Sequence, residues 1–91
     1  MTEVTMYGTQ LCPFCRRAEQ LLKSKNVDDL KKIAVDLDPG QLDSMIARTG
    51  RRSVPQIFIG ETRVGGYDDL AALDREGRLD ALLQSAGAKR P

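Results

Sequence analysis

Cys12-Pro13-Phe14-Cys15 is the stretch that most narrows what this chain can become. Before it, Val4 to Tyr7 alternates apolar and polar as a short strand does, and Gly8-Thr9-Gln10-Leu11 reads as a loop. After it, Cys15, Ala18, Leu21 and Leu22 recur at helical spacing, while Arg16, Arg17, Glu19, Gln20 and Lys23 fall on the opposite, solvated face. A strand therefore hands over to a helix running from about Pro13 to Lys25, with Asn26 as its C-terminal cap. Proline suits the first helical position, because its φ is already near the helical value and its missing N–H would have had no partner there. Cys12 then lies at the amino end of the helix, where unpaired N–H groups and the positive end of the dipole favour its thiolate over its thiol.

The spacing of the two cysteines adds the second half of the chemistry. Residues three apart on a helix are neighbours, roughly 5–6 Å apart at Cβ, so a disulfide between Cys12 and Cys15 is geometrically open to them. Cys12 can attack an external disulfide, and Cys15 can attack the resulting mixed disulfide and release the product. These are the only two cysteines, and the chain has no histidine. A self-contained tetrahedral zinc site, which needs four ligands, has too few donors here. A c-type haem attachment would need a histidine after Cys15, where Arg16 stands.

With 91 residues the chain is long enough for one small core, and we read 1–86 as a single domain with 87–91 as a flexible tail. Fourteen basic residues against thirteen acidic ones leave a net charge of +1, and the aromatics are only Tyr7, Phe14, Phe58 and Tyr67. There is neither a basic field nor a stacking platform for nucleic acid. No apolar run approaches membrane length, and Met1 to Val4 lacks a basic signal region, so a cytoplasmic protein is expected. In a reducing compartment a cysteine pair points to catalysis or metal binding before a structural staple.

Further along, Ile33, Val35 and Leu37 alternate with Ala34 and Asp36, which predicts a second strand parallel to the first after the polar turn Asp28-Asp29. Asp38-Pro39-Gly40-Gln41 carries helix-start signals: Asp38 as N-cap, Pro39 as first residue and Gln41 as the reciprocal partner of a capping box. Leu42, Met45 and Ile46 form the buried face of that helix, and Gly50 is its C-cap. Pro55 leads into an apolar strand over Gln56–Ile59, and Gly60-Glu61 turns it into Thr62-Arg63-Val64. Gly65-Gly66 breaks that strand, a third helix begins near Asp68, and Leu79, Leu82 and Leu83 continue it after Gly77 as a short final segment. The order is therefore βαβαββα, in which a parallel pair from the first half and a hairpin from the second form an α/β fold with a mixed four-stranded sheet and helices on both faces. The site of such a sheet lies beyond the carboxyl end of a strand where connections diverge, and Cys12 is at such an end.

Three stretches in this order, Cys12-Pro13-Phe14-Cys15, Ser53-Val54-Pro55-Gln56-Ile57-Phe58-Ile59 and Gly65-Gly66-Tyr67-Asp68-Asp69-Leu70, resemble the bacterial dithiol glutaredoxins, small proteins of the thioredoxin-like fold. The resemblance implies that Cys12 is the nucleophile and Cys15 the resolving thiol, forming a redox-active disulfide between them. It implies a cis Val54–Pro55 bond that leaves the Val54 backbone free to pair with the cysteinyl unit of glutathione. It also implies that Tyr67 and Asp68 receive the γ-glutamyl end, with Phe14 as an aromatic wall and Pro55 completing the site. Asp69 is read as a helix cap only. Many relatives carry a lysine where this chain has Thr9, so Arg16, Arg51 and Arg52 become candidate replacements, of which at most one is expected to serve.

The activity implied is reduction of protein disulfides and protein–glutathione mixed disulfides by a monomer. Glutathione is the co-substrate, no cofactor is bound, and ribonucleotide reductase is among the candidate protein targets. Two alternatives stand beside it: a redoxin reduced by thioredoxin reductase, and a homodimer carrying an iron–sulfur cluster.

Overall fold

In the computed structural model, which describes residues 4–27 and 29–85, the central strand is β1, Val4–Gly8. It is followed by α1 (Pro13–Ser24), β2 (Lys31–Ala34), α2 (Pro39–Thr49), β3 (Gln56–Ile59), β4 (Thr62–Gly65), α3 (Tyr67–Arg75) and α4 (Leu79–Ser85). Met1 to Glu3, Asp28 and the tail expected over 87–91 lie outside the described residues.

The sheet order is β2-β1-β3-β4. β1 runs parallel to β2, with Tyr7 opposite Ile33, and antiparallel to β3, with Met6 opposite Ile57. The sheet is therefore mixed, with one parallel pair at one side and the β3–β4 hairpin at the other. Side chains alternate across it. Val4, Met6, Ile57 and Ile59 face a core shared with Ala18 and Leu22 of α1, Leu70 of α3, and Leu79 and Leu83 of α4. Tyr7 and Phe58 face the opposite way, onto Met45 of α2 and Val35. Burying a side chain such as Leu22 or Leu70 stabilises the fold by about 2 kcal/mol.

The second strand is displaced from its expected position. The alternation of Ile33, Val35 and Leu37 predicts a strand there, yet β2 spans Lys31–Ala34. Its partner explains the shift. β1 ends at Gly8, whose carbonyl accepts the Val35 N–H at 3.0 Å as the last bond of the ladder. Beyond that point there is no neighbour to pair with, and Leu37 is 67% exposed. β2 is also an edge strand, so Lys31 and Lys32 can sit in it with their side chains in water, where charge discourages further pairing.

The helix ends follow their residues. Asn26 has φ 67° and the Val27 N–H donates to the Leu22 carbonyl at 3.2 Å, a left-handed C-terminal turn that asparagine tolerates. Asp38 caps α2 by accepting the Gly40 N–H at 3.0 Å; the expected reciprocal partner Gln41 is bonded there through its own main-chain N–H to the Asp38 carbonyl at 3.0 Å. Gly50 has φ 70° and closes α2. Gly77, also left-handed, separates α3 from α4, so the final segment is a helix of its own.

Candidate active site

Cys12 is the N-cap of α1, with extended backbone (φ −98°, ψ 110°) immediately before Pro13. Its sulfur accepts the Cys15 main-chain N–H at 3.2 Å. An N–H that would otherwise be unpaired in the first turn thus points at Sγ, and negative charge on that sulfur is stabilised by it and by the aligned helix. Cys12 is partly exposed, whereas Cys15 is 4% exposed, facing the core behind it. Both thiols are free. The tight fit behind Cys15 needs Gly8, because a Cβ there would lie 2.9 Å from the Cys15 sulfur.

Opposite Cys12 stands the loop before β3. The Val54–Pro55 bond is cis, and the Val54 carbonyl oxygen lies 4.0 Å from the Cys12 sulfur, which donates to it. β3 begins only at Gln56, so Val54 lies outside the sheet ladder. In sequence Gln56 looks like an ordinary strand residue, and nothing local assigns it to the site. It is buried, and its amide donates to the Ser53 carbonyl at 3.0 Å and the Ser53 hydroxyl at 3.3 Å, tying down the chain that leads into Val54.

From Val54 an open groove of about 470 Å³ runs to the start of α3, past Pro55, Phe14, Tyr67 and Asp68. The Phe14 and Tyr67 rings stand 6.2 Å apart, tilted by 32°, and form one wall. At the far end the first-turn N–H groups of α3 have no helical partners of their own. Asp69 holds that turn by accepting the Gly66 N–H at 3.1 Å, which is the capping role expected of it, and Asp68 beside it is exposed to the groove. Phe14, Val54, Pro55, Tyr67 and Asp68, separated by up to 54 residues in sequence, thus line one groove beside Cys12. Such a groove suits a short extended ligand with a thiol at one point and a carboxylate at one end.

The family model for glutaredoxin matches residues 4–64, two thirds of the chain. The chain belongs to the glutaredoxin family. It is 51% identical over 85 residues to a glutaredoxin of Pseudomonas aeruginosa, covering 93% of this chain and all of that one. It is 45% identical over 84 residues to glutaredoxin 3 of Escherichia coli, covering 92% of this chain and all of the relative. Among solved structures, a buckwheat glutaredoxin–glutathione complex superposes with a TM-score of 0.87 at 26% identity, covering 96% of this chain and 81% of that one. The chain is accordingly a thiol–disulfide oxidoreductase with the thioredoxin-like fold of its family.

Of the three candidate replacements for the absent lysine, Arg51 lines the groove of this glutaredoxin and Arg16 and Arg52 do not. Arg16 borders a separate cleft with Thr9, Gln10 and Cys15 on the β2 side. Arg63, which no sequence pattern singled out, lines the groove from β4. Among the described residues no group of three His, Cys, Asp or Glu side chains is arranged to hold a metal ion, and no helix is long and apolar enough to cross a membrane.

Burial pushes the Cys15 thiol up from an ordinary 9.0 to about 12; its hydrogen bond with Cys12 adds to the rise, while the Thr9 main-chain N–H works against it. At neutral pH Cys15 is therefore held as a thiol in this glutaredoxin. The raised value also links ionisation to folding. Below about pH 9 the group is protonated in both folded and unfolded chains, and its stabilising contribution is whole. Above that, the unfolded chain ionises first, and the contribution is lost as pH rises towards 12. We expect the urea midpoint to fall between pH 9 and 12, and to fall less steeply in Cys15→Ala. Parallel curves for the two proteins would contradict the burial of Cys15.

Proposed function

We propose that this glutaredoxin reduces protein–glutathione mixed disulfides and protein disulfides with glutathione as its electron source, acting as a cytoplasmic monomer. The observation that carries this reading is the continuity of one surface. Cys12 Sγ, polarised by the Cys15 N–H at 3.2 Å, faces the Val54 carbonyl at 4.0 Å, at the mouth of the groove that ends on α3. The fold match to a glutaredoxin–glutathione complex supports the same ligand.

In this reading the cysteinyl unit of glutathione lies along Val54 as a short added strand, with Pro55 and the Phe14 and Tyr67 rings packed around it. The γ-glutamyl carboxylate meets the N–H groups of Tyr67 and Asp68, and the Asp68 carboxylate accepts from the γ-glutamyl ammonium. Arg51 faces the glycyl carboxylate. The Cys12 thiolate attacks the glutathione sulfur of a mixed disulfide; that S–S bond breaks, and the target leaves as a thiolate that takes up a proton. A second glutathione thiolate then attacks the Cys12-bound glutathione, releasing glutathione disulfide and restoring Cys12.

With a protein disulfide as substrate, Cys15 plays the second part. It loses its proton and attacks Cys12 Sγ, expelling the reduced target and leaving a Cys12–Cys15 disulfide for two glutathiones to reduce. Once Cys12 is in a mixed disulfide it carries no thiolate charge to oppose ionisation of Cys15, so the resolving thiol becomes easier to deprotonate at the step that needs it.

The test is reduction of a small glutathione mixed disulfide coupled to NADPH through glutathione reductase, run beside an assay with thioredoxin reductase and no glutathione. Turnover in the first alone is the expected result; turnover in the second alone would assign the electron source to thioredoxin reductase and overturn the reading. Asp68→Ala should raise the KM for glutathione about tenfold, the loss of roughly 1.4 kcal/mol expected for one charged hydrogen bond at a partly screened site. Thermal stability should stay near wild type, since Asp69 and not Asp68 caps α3.

A further inference from the structure

Around Cys12, between the groove that Phe14 lines and the cleft that Arg16 borders, the exposed surface of the loop and of the first turn of α1 is apolar and cationic together. Leu11 is 88% exposed and Phe14 50% exposed, one on each side of the Cys12-Pro13 step. Arg16 and Arg17 follow on the same turn, both exposed, and the Arg17 guanidinium lies 5.6 Å from the Phe14 ring centroid. Exposed large side chains on both sides of a reactive thiol cost solubility and leave a contact surface open.

The charges around this surface are not balanced locally. Some cations elsewhere are paired: Lys23 and Lys32 with Glu19, Lys25 with Asp74 and Asp80, and Arg78 with Glu76. Arg16 and Arg17 have no carboxylate partner among the described residues. Asp36, Asp38 and Asp69 accept the main-chain N–H groups of Gln10, Gly40 and Gly66, and Asp68 faces the groove. With a net charge of only +1, the two arginines act locally, with no field of the whole molecule behind them.

We propose that Leu11, Phe14, Arg16 and Arg17 form a docking ridge for the protein half of the substrate, selecting disulfides in an extended segment that has an apolar residue beside the cysteine and carboxylates nearby. Helical rise puts Arg16 and Arg17 roughly 6–8 Å along α1 from Cys12, so the matching carboxylates stand about two to three residues from the reactive cysteine of an extended chain. Leu11 and Phe14 cover the apolar residue, and the two guanidiniums, as planar donors, receive the carboxylates. The ridge deepens the function proposed above by naming its protein substrate, yet its chemistry needs only the Cys12 thiolate and no glutathione.

The test uses reduced wild-type protein, in excess, and two extended peptides each with a central cysteine linked by a disulfide to thionitrobenzoate. One has leucine beside the cysteine and glutamates two and three residues away; the other has lysines in place of the glutamates. Cys12 attacks the peptide sulfur, a Cys12–peptide disulfide forms, and the peptide–thionitrobenzoate bond breaks with the electron pair leaving on the coloured thiolate. The glutamate peptide should react about tenfold faster at low ionic strength, with the ratio shrinking as salt is raised. Arg16→Glu with Arg17→Glu should invert the order.

A neutral peptide of the same length should react with the variant at the wild-type rate, which shows that the fold and Cys12 are intact. Equal rates for the two charged peptides in wild type would overturn the proposal, as would a preference that survives the double substitution. The small glutathione mixed disulfide reports separately on the glutathione reading, since it has no flanking residues for the ridge to hold.

Discussion

Replacing Cys12 by serine will lower the reduction of both glutathione mixed disulfides and protein disulfides by at least about a thousandfold, because a hydroxyl at this position supplies no thiolate. Cys15→Ser will separate the two activities. The contact that stabilises charge on Cys12 Sγ comes from the Cys15 main-chain N–H at 3.2 Å and not from its thiol. Serine keeps that N–H, so attack by Cys12 should persist, and turnover of a glutathione mixed disulfide should stay within about threefold of wild type. Reduction of a protein disulfide should fall by about a hundredfold or more, since no second thiol remains to expel the target. Steady-state rates on one substrate of each kind decide the matter. A Cys12→Ser protein that stays active while Cys15→Ser is dead on both substrates would reverse the roles.

Gly65→Ala is the second large effect, and it reaches the site through the backbone. Gly65 has φ 112°, a conformation that an L-residue adopts only under strain. A Cβ there would also meet the Asp69 carboxylate, at Oδ2 and Cγ. That carboxylate is the acceptor for the Gly66 N–H and cannot swing away without releasing the start of α3. Strain of about 1–2 kcal/mol and a lost cap worth about 1 kcal/mol together give roughly 2–3 kcal/mol of destabilisation. For a domain of this size that is a drop in Tm of about 15 °C.

Gly77→Ala is the internal control. Gly77 also has positive φ, 73°, but a Cβ there meets nothing within 4 Å, so only the strain of about 1–2 kcal/mol applies. Asp69→Ala in the Gly65→Ala background should recover part of the difference. Equal losses for the two glycine variants in thermal denaturation would show that Asp69 is not the obstacle. The Gly65→Ala protein that remains folded should also bind glutathione more weakly, because the N–H groups of Tyr67 and Asp68 are placed by the same turn.

Most of the element boundaries, and the place of Cys12 at a helix start, were legible in the residues. Pro13, Pro39 and Asp38, Gly50 and the Gly60-Glu61 turn act within a few bonds of themselves, and each stands in the structure where local chemistry puts it. The convergence of the candidate site residues on one groove was legible in a different way. That Cys12 should sit at a helix start follows from its neighbours, but Val54 and Asp68 were associated with it through the family pattern, since nothing local links positions 12, 54 and 68.

What tertiary structure alone decided is whatever depends on a partner distant in the chain. β2 stops at Ala34 because β1 stops at Gly8, so the alternation through Val35 and Leu37 had no strand to pair with. The Cys12–Val54 contact spans 42 residues and exists only because β1 and β3 are neighbours in the sheet. Arg51 and Arg63 line one groove although the end of α2 and β4 bring them from different layers. The high pKa of Cys15 comes from the core closing over it. Caps and turns are settled by interactions between adjacent residues, which a sequence displays directly; register, burial and the convergence of loops are settled by packing, which it does not.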